Sequence, residues 1–289
     1  MKIDGPLVTT EWLSENLYRD ELRVFDTTVE LRHKDGGGYL PKSGIDEWKK
    51  SHIPGSQFLD VVEELSDLEQ PVPFMMPQFE EFAKRMMKRG VSDSNIVILY
   101  NKGTPMWSTR VWWMLRSIGK ENVAVLDGGL DKWVREGLPL EETIKAHSTG
   151  KLTVTAHPDM WVDRVKVQGL LSDPDTVTLN ALSPDVYAGD KNQYGRPGHL
   201  PGTHNVFYGH LLNPDSGVFR PAHELREQFR ESGALDAKRV ITYCGGGISA
   251  TMDCLALHIC GQDSVAVYDG SMSEWVRNPD LPLTLGKDP

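Results

Sequence analysis

The sequence has few cysteines, an excess of acidic over basic residues and no long apolar run. Its three cysteines, Cys244, Cys254 and Cys260, are an odd and small number for 289 residues. Without a secretion signal, such a count predicts free thiols in a reducing compartment rather than a disulfide framework. The first residues, Met1–Pro6, lack the apolar core of a signal peptide, and no segment is long and apolar enough to span a membrane. We therefore expect a cytoplasmic protein without a membrane partner.

The charge balance is acidic, with 31 Lys and Arg against 41 Asp and Glu and a formal net charge of −10. Binding to a phosphate backbone requires a basic surface, so nucleic acid is not expected as a partner. A length of 289 residues and a hydrophobic content of 39% predict a globular protein of about two domains.

Three motifs of the first half return in the same order in the second half. They are Ser51–Ser56 and Gly198–Thr203, Arg89–Tyr100 and Ser232–Tyr243, and Val123–Trp133 and Val265–Trp275. Each half is long enough to hold its own core, so the repeat predicts a duplicated domain rather than a solenoid. The predicted boundaries are residues 1–140 and 159–289. Residues 141–158 are polar without a clear period and are predicted to be the linker.

Strand and helix patterns alternate within each half. Short β-branched runs predict strands at 24–25, 96–100, 177–179 and 240–243, and before Asp127 and Asp269. Helical spacing of apolar residues predicts helices that end at Gly90 and Gly233, and others over 109–118 and 250–260. Strands separated by helices predict an α/β fold with parallel sheets that carry helices on both faces.

The segment around Cys244 carries the strongest chemical signal. The predicted buried strand Val240–Tyr243 leads into Cys244, then into Gly245, Gly246 and Gly247, and then into a predicted helix. Glycines allow backbone N–H groups to turn inward, and the helix adds its positive N-terminal end. A thiol placed there should ionise near neutral pH, so Cys244 is predicted to be a nucleophile. Cys254 and Cys260 fall in the predicted helix and are expected to pack in the core.

These features together resemble the rhodanese superfamily, and specifically its tandem-domain sulfurtransferases. The resemblance rests on the two His-(Ile/Leu)-Pro-Gly motifs, on Arg110–Arg116 and on the Asp-Gly motifs that precede Trp133 and Trp275. It implies two tandem rhodanese-like domains with the active site in the cleft between them. Asn101 stands at the position that matches Cys244, so the first domain is expected to be catalytically silent.

The resemblance also implies a mechanism and its residues. The Cys244 thiolate would take the outer sulfur of a donor, and cyanide or a thiol would remove it from the resulting persulfide. The backbone N–H groups of Gly245, Gly246, Gly247, Ile248 and Ser249 would hold the anionic sulfur, and the Ser249 hydroxyl would add a hydrogen bond. Trp107 is expected either to wall the cleft or to pack in the core. Thiolate exchange needs no cofactor and no metal, and the partners would be a small sulfur donor and acceptor.

The sequence departs from the family pattern where the donor should bind. Thiosulfate-type loops often carry basic residues after the cysteine, and mercaptopyruvate-type loops often carry a serine two residues after it, but this chain has Gly245 and Gly246. Leu182 stands where many relatives carry an arginine. Arg196 is the nearest replacement cation in the sequence, with a solvated surface arginine as the other interpretation. Thiosulfate is the first donor expected, and 3-mercaptopyruvate is the alternative donor. A further alternative function is a carrier that stores persulfide without turnover.

Three other chemistries are weaker candidates. A Cys-x5-Arg phosphatase would need an arginine six residues after the cysteine, where this chain has Ala250. The spacing of His199, His204 and His210 matches no zinc signature. The Gly36–Gly38 run lacks the Gly-Lys-Ser/Thr ending of a phosphate loop and is predicted to be a flexible turn.

Matching residues in the two halves predict shared structural roles. His52 and His199 occupy equivalent positions, which favours a turn-stabilising role over a part in catalysis. Asp127 and Asp269 are likewise expected to brace turns or loops.

Overall fold

The computed structural model describes residues 3–33 and 39–289. The Gly36–Gly38 run lies outside the described residues, so its interpretation as a turn stays a prediction. Within the described ranges, no helix is both long and apolar enough to cross a membrane.

The first half is built on a parallel sheet. Its strands are β1 (Leu7–Val8), β2 (Leu22–Asp26), β3 (Val29–His33), β4 (Tyr39–Ser43), β5 (Gln57–Phe58), β6 (Ile96–Tyr100) and β7 (Val123–Leu126). Its helices are α1 (Thr10–Asn16), α2 (Ile45–Lys50), α3 (Phe79–Lys88), α4 (Met106–Ser117) and α5 (Gly129–Arg135). The sheet order is β1-β7-β6-β2-β5 with all neighbours parallel, while β3 and β4 form a separate antiparallel pair.

The second half repeats this plan. Its strands are β8 (Trp161–Val162), β9 (Thr176–Asn180), β10 (His204–Asn205), β11 (Arg239–Tyr243) and β12 (Val265–Tyr268). Its helices are α6 (Arg164–Leu170), α7 (Pro184–Ala188), α8 (Ala222–Arg230), α9 (Ala250–Ile259) and α10 (Ser271–Trp275), with short 3₁₀ turns at Pro158–Met160 and Tyr208–Leu211. The order β10-β9-β11-β12-β8 is again entirely parallel, which confirms the predicted α/β class.

Strand β6 shows why the sequence forms a sheet covered on both faces. All five of its residues are buried. Val97 and Leu99 pack with the face that holds α3 and α4, whereas Ile96 and Ile98 pack with the face that holds α1 and α5. Alternate side chains point to opposite faces, so a strand buried on both must be apolar throughout.

The repeated histidine motifs form buried structural joints. His52 and His199 are both fully buried. The Nδ1 atom of His52 lies 2.7 Å from the Trp48 carbonyl oxygen, and that of His199 lies 2.8 Å from the Tyr187 carbonyl oxygen. The rings stack on those same two residues, with centroid distances of 4.3 and 3.6 Å. These contacts favour the turn-stabilising role expected from their repetition.

Residues 142–157 contain no helix or strand and run along the first half. The Gly150 N–H donates to the Met87 carbonyl at 2.8 Å, and the Thr155 N–H donates to the Ile118 carbonyl at 3.0 Å. The predicted linker thus packs against α3 and the end of α4, while its limits stay a prediction.

The two halves pack through α4 and α9. The Thr109 and Thr251 hydroxyls lie 2.8 Å apart across this contact. The Asp-Gly turn of each half also contacts the other half: an Asp127 carboxylate oxygen accepts from the Phe219 N–H at 2.8 Å, and an Asp269 oxygen accepts from the Met76 N–H at 2.6 Å. The expected bracing role of these aspartates therefore extends across the interface.

Candidate active site

Cys244 lies at the carboxyl end of β11, a central strand of the second sheet, where parallel sheets commonly place their sites. Its side chain is buried, with 2% exposed. The Cys244 N–H donates to Ser271 Oγ at 3.1 Å, and the Cys244 carbonyl accepts from the Met272 N–H at 3.1 Å. The start of α10 therefore fixes the backbone that carries the thiol.

The loop after Cys244 requires glycine for a local reason at Gly247. Its φ is +72°, and a Cβ there would lie 2.7 Å from the Asp269 carbonyl oxygen. The Gly247 N–H donates to Ser271 Oγ at 3.1 Å, so it is already engaged. In this structure the Gly247 N–H therefore already has an acceptor, and its expected contact with the anionic sulfur stays a prediction.

Four N–H groups of the loop have no protein acceptor among the described residues: those of Gly245, Gly246, Ile248 and Ser249. The Ser249 hydroxyl likewise makes no hydrogen bond to the described part of the chain, and Ser249 precedes the first turn of α9. These groups lie beside the thiol and can meet negative charge on sulfur, as the donors of an oxyanion hole do.

A cavity of about 520 Å³ opens onto the thiol between the two halves. Cys244, Gly245, Gly246, Ile248 and Ser249 line one side of it. Trp107 lines the opposite domain's side, where its ring packs edge-on against Phe74 with centroids 5.4 Å apart. Because Trp107 is also 98% buried, with 2% exposed, it both walls the cleft and belongs to the core.

Arg196 is not among the described residues that line this cavity. Its guanidinium donates to the carbonyl oxygens of Asn278 and Leu281 at 2.9 and 2.8 Å. The planar fork of an arginine suits two such acceptors, so this side chain ties down the C-terminal segment. These contacts point the guanidinium away from the cavity in this structure, and a contact between Arg196 and the donor stays a prediction that the geometry does not favour.

Two tyrosines that the sequence did not single out stand beside the nucleophile. A Cβ at Gly245 would lie 2.0 Å from Tyr194 Oη, so glycine leaves the space that this phenol occupies. Burial raises the pKa of Tyr194 and of Tyr208, and the nearby Cys244 raises both further. Both are therefore neutral hydrogen-bond donors at ordinary pH. A lone tyrosine in a polar loop gives no sequence signal for such a position.

A buried ion pair holds the loop that follows Cys244 in place. Arg110 of α4 has 1% of its side chain exposed and contacts Asp269 Oδ1 through Nη1 at 2.6 Å. The same Nη1 donates to the Gly247 carbonyl at 3.2 Å, while Nη2 donates to the Phe74 carbonyl at 2.6 Å. The first half therefore positions the loop of the second. Arg110 belongs to the sequence motif Arg110–Arg116, but its partner could not be identified without the fold.

The cavity itself is nearly free of charge. Among its described lining residues, Lys191 is the one charged side chain, and it is exposed. No group of three or more His, Cys, Asp or Glu in the described ranges is placed to hold a metal ion.

A comparison with protein families decides the classification. Residues 9–136 and 170–278 both match the model of the rhodanese-like domain. The chain belongs to the rhodanese family. Its two halves are thus tandem rhodanese-like domains, as the sequence motifs predicted.

The chain matches relatives named as sulfurtransferases over nearly their whole length. The chain is 32% identical to 3-mercaptopyruvate sulfurtransferase of Escherichia coli over 280 residues, covering 96% of each. It is 30% identical to human 3-mercaptopyruvate sulfurtransferase and 31% identical to thiosulfate sulfurtransferase of Gallus gallus, covering 93% of this chain and 91% and 92% of theirs. This rhodanese-family chain is a sulfurtransferase.

Solved structures agree in fold. A 3-mercaptopyruvate sulfotransferase structure from Escherichia coli superposes with a TM-score of 0.81 at 29% identity, covering 92% of this chain and 98% of that one. The Tum1 protein of Saccharomyces cerevisiae gives a TM-score of 0.82 at 22% identity, with 99% of each chain covered, and shows the shared fold.

Proposed function

We propose that this sulfurtransferase moves a sulfane sulfur from thiosulfate to cyanide or a thiol through a persulfide on Cys244. The observation that carries the proposal is the placement of the Cys244 thiol at the wall of the interdomain cavity. There it adjoins the N–H groups of Gly245, Gly246, Ile248 and Ser249, which have no acceptor among the residues that the structure describes.

The proposed first step forms one S–S bond and breaks another. The Cys244 thiolate attacks the outer sulfur of thiosulfate, and the electron pair of the broken S–S bond leaves with sulfite. In the second step, cyanide attacks the outer sulfur of the persulfide and leaves as thiocyanate, while the electron pair returns to Cys244 Sγ. The loop N–H groups and the Ser249 hydroxyl stabilise the anionic sulfur between the steps.

A second donor, 3-mercaptopyruvate, is favoured by a specific feature of the loop. Gly245 leaves its space to the neutral Tyr194 phenol, where a thiosulfate-type loop would carry a basic side chain. The relatives from Escherichia coli and human are named for 3-mercaptopyruvate. With this donor, the broken C–S bond leaves its electron pair on carbon, which takes a proton to give pyruvate.

We further propose that the first domain is catalytically silent and that the protein acts in the cytoplasm on small molecules. Asn101 occupies the position of the nucleophile, and its amide donates to the Lys102 and Thr104 carbonyls at 2.8 Å, so it braces its own loop. All three cysteines are free, which suits a reducing compartment.

Steady-state thiocyanate formation tests the proposal and separates an enzyme from a persulfide carrier. Purified protein is supplied with thiosulfate or 3-mercaptopyruvate and excess cyanide, beside the Cys244→Ser variant. Many turnovers per molecule that vanish in the variant support the enzyme. One equivalent of thiocyanate without further turnover would instead indicate a carrier.

A further inference from the structure

The cavity is much larger than either proposed donor requires. Its volume of about 520 Å³ falls in the range of about 300–1,000 Å³ that encloses drug-sized organic ligands. Thiosulfate and 3-mercaptopyruvate each consist of only a few heavy atoms, so neither accounts for the space in front of Cys244. A persulfide enzyme admits its acceptor after the donor product has left, and this second molecule can fill the cavity.

Among the described residues, the wall is mainly aromatic, and its one charged side chain is the exposed Lys191. Six of the described residues that line it are aromatic, and they are Tyr39, Phe74, Trp107, Tyr194, Phe207 and Tyr208. They come from both halves: Phe74 packs edge-on against Trp107 at 5.4 Å, and Phe207 packs edge-on against Tyr208 at 4.7 Å between ring centroids. Aromatic rings favour such edge and offset contacts with a further ring, beyond the gain from burying its area.

A charged acceptor would find little compensation there. Lys191 is the one charged residue among the described lining side chains, and it lies exposed. The loop N–H groups next to Cys244 can meet the charge of a small anionic donor. A carboxylate or sulfonate on a longer acceptor would instead lie beyond these groups in the aromatic part, where it would lose hydration without gaining a partner among the described lining residues. The Tyr194 and Tyr208 phenols lie close enough to Cys244 for its charge to raise their pKa values, so they are placed to act on the sulfur itself.

From these observations we propose that the sulfur acceptor of this cavity is an uncharged thiol that carries an aromatic ring. The proposal rests on the proposed Cys244 persulfide. The acceptor thiolate attacks the outer sulfur, a new S–S bond forms from its electron pair, and the pair of the old S–S bond returns to Cys244 Sγ. The proton that the acceptor thiol loses balances the Cys244 thiolate that is released, so the products are the aromatic persulfide and the free enzyme thiol, with no external oxidant or reductant.

Single-turnover discharge of the loaded persulfide tests this specificity. The probes are benzyl mercaptan, 2-mercaptoethanol and 2-mercaptoethanesulfonate, and intact mass follows the loss of one sulfur with time. Thiols differ in nucleophilicity, so each rate is divided by that thiol's rate with a small disulfide in the same buffer. Burial of the ring should give benzyl mercaptan at least about a tenfold advantage over 2-mercaptoethanol. If the normalised rate with 2-mercaptoethanesulfonate equals or exceeds that with benzyl mercaptan, the proposal is overturned.

The variant Phe207→Ala locates the effect. It should reduce the ratio of the benzyl mercaptan rate to the 2-mercaptoethanol rate by about fivefold or more. Tyr18→Ala is the matched control, because Tyr18 is 79% exposed and outside the cavity, and its ratio should equal that of the wild type. If the ratio of the two rates in Phe207→Ala equals that of the wild type, the assigned site is contradicted.

A binding measurement separates this proposal from the proposed function. Cys244→Ser cannot form a persulfide, so calorimetric titration with benzyl methyl sulfide reports the cavity alone. Cys244→Ser should bind the sulfide saturably, and the double variant with Phe207→Ala should bind it more weakly. That result supports the aromatic site even if no persulfide forms in the wild type. Normal persulfide formation without saturable binding would refute the aromatic site and leave the sulfurtransferase mechanism standing.

Discussion

At the scale of single residues, Cys244 was predictable because its signal is local. A buried strand, a cysteine and three glycines follow one another directly, and backbone chemistry alone indicates a reactive thiol. Arg196 was considered as the nearest replacement cation in the sequence, but nearness in sequence says nothing about where a long side chain ends, and its guanidinium here contacts the Asn278 and Leu281 carbonyls. Tyr194 was missed because its role depends on the space left by Gly245, fifty-one positions later in the chain.

The three cysteines should respond differently to substitution. Cys244→Ser should abolish turnover, whereas Cys254→Ala and Cys260→Ala should keep it nearly intact. Cys254 is fully buried, its Sγ lies 3.2 Å from Thr242 Oγ1, and burial raises its pKa, so it stays a protonated core thiol. Thiocyanate formation measures the outcome. A comparable loss in Cys254→Ala would contradict a single nucleophile.

The phenol beside Gly245 should contribute to anion binding. Tyr194→Phe removes one hydroxyl donor to the charged sulfur, and kcat/KM for thiosulfate should fall by about 10- to 100-fold. Tyr18→Phe, on the exposed surface, is the control and should match the wild type. Unchanged kcat/KM in Tyr194→Phe would show that its hydroxyl does not act on sulfur.

At the scale of elements, periodicity was sufficient for the longer pieces. Helices α3 and α8 follow the apolar spacing and end near Gly90 and Gly233, whose φ values of +84° and +70° suit glycine. The two-residue strands β1, β5, β8 and β10 were not predicted. Two residues carry no period, and such strands exist only because a neighbouring strand pairs with them.

Helix α9 contains a buried carboxyl with an expected cost. Asp253 is fully buried, and neither carboxyl oxygen has a hydrogen-bond partner in the described part of the chain. Desolvation raises its pKa well above the ordinary value, so the folded state holds the proton more tightly than the unfolded state. The stability that this proton supplies is complete below the unfolded pKa of about 3.9 and is lost as pH rises.

Asp253→Asn should therefore gain stability relative to the wild type as pH increases. The difference in free energy of unfolding should grow by up to about 1.4 kcal/mol per pH unit between pH 5 and 8. Urea unfolding at several pH values measures it, with the exposed Asp190→Asn as control. A difference that is independent of pH would contradict a protonated buried carboxyl.

At the scale of the whole molecule, the duplication was readable but the contact between its copies was not. Repeated motifs predicted two similar domains, and both match the rhodanese-like model. The interface depends on pairs such as Arg110 and Asp269, which are 159 positions apart and meet only through the packing of α4 against α9. No local pattern encodes that distance.

The buried pair between the halves should couple stability to activity. Arg110→Met leaves Asp269 without its cation and should cost about 3–5 kcal/mol in the free energy of unfolding. It should also slow persulfide formation, because the Gly247 carbonyl loses a donor. In a double-mutant cycle, Arg110→Met with Asp269→Leu should cost less than the sum of the single changes. Strict additivity would show that the pair does not act as a unit.

The central claim is that Cys244 carries the transferred sulfur, and intact-mass spectrometry tests it most directly. The protein is exposed separately to thiosulfate and to 3-mercaptopyruvate, and each sample is then treated with cyanide. We predict the gain of one sulfur, mapped to Cys244, which cyanide removes as thiocyanate, and the donor that loads faster is the better substrate. No gain from either donor, or a gain mapped to Cys254 or Cys260, would contradict the account.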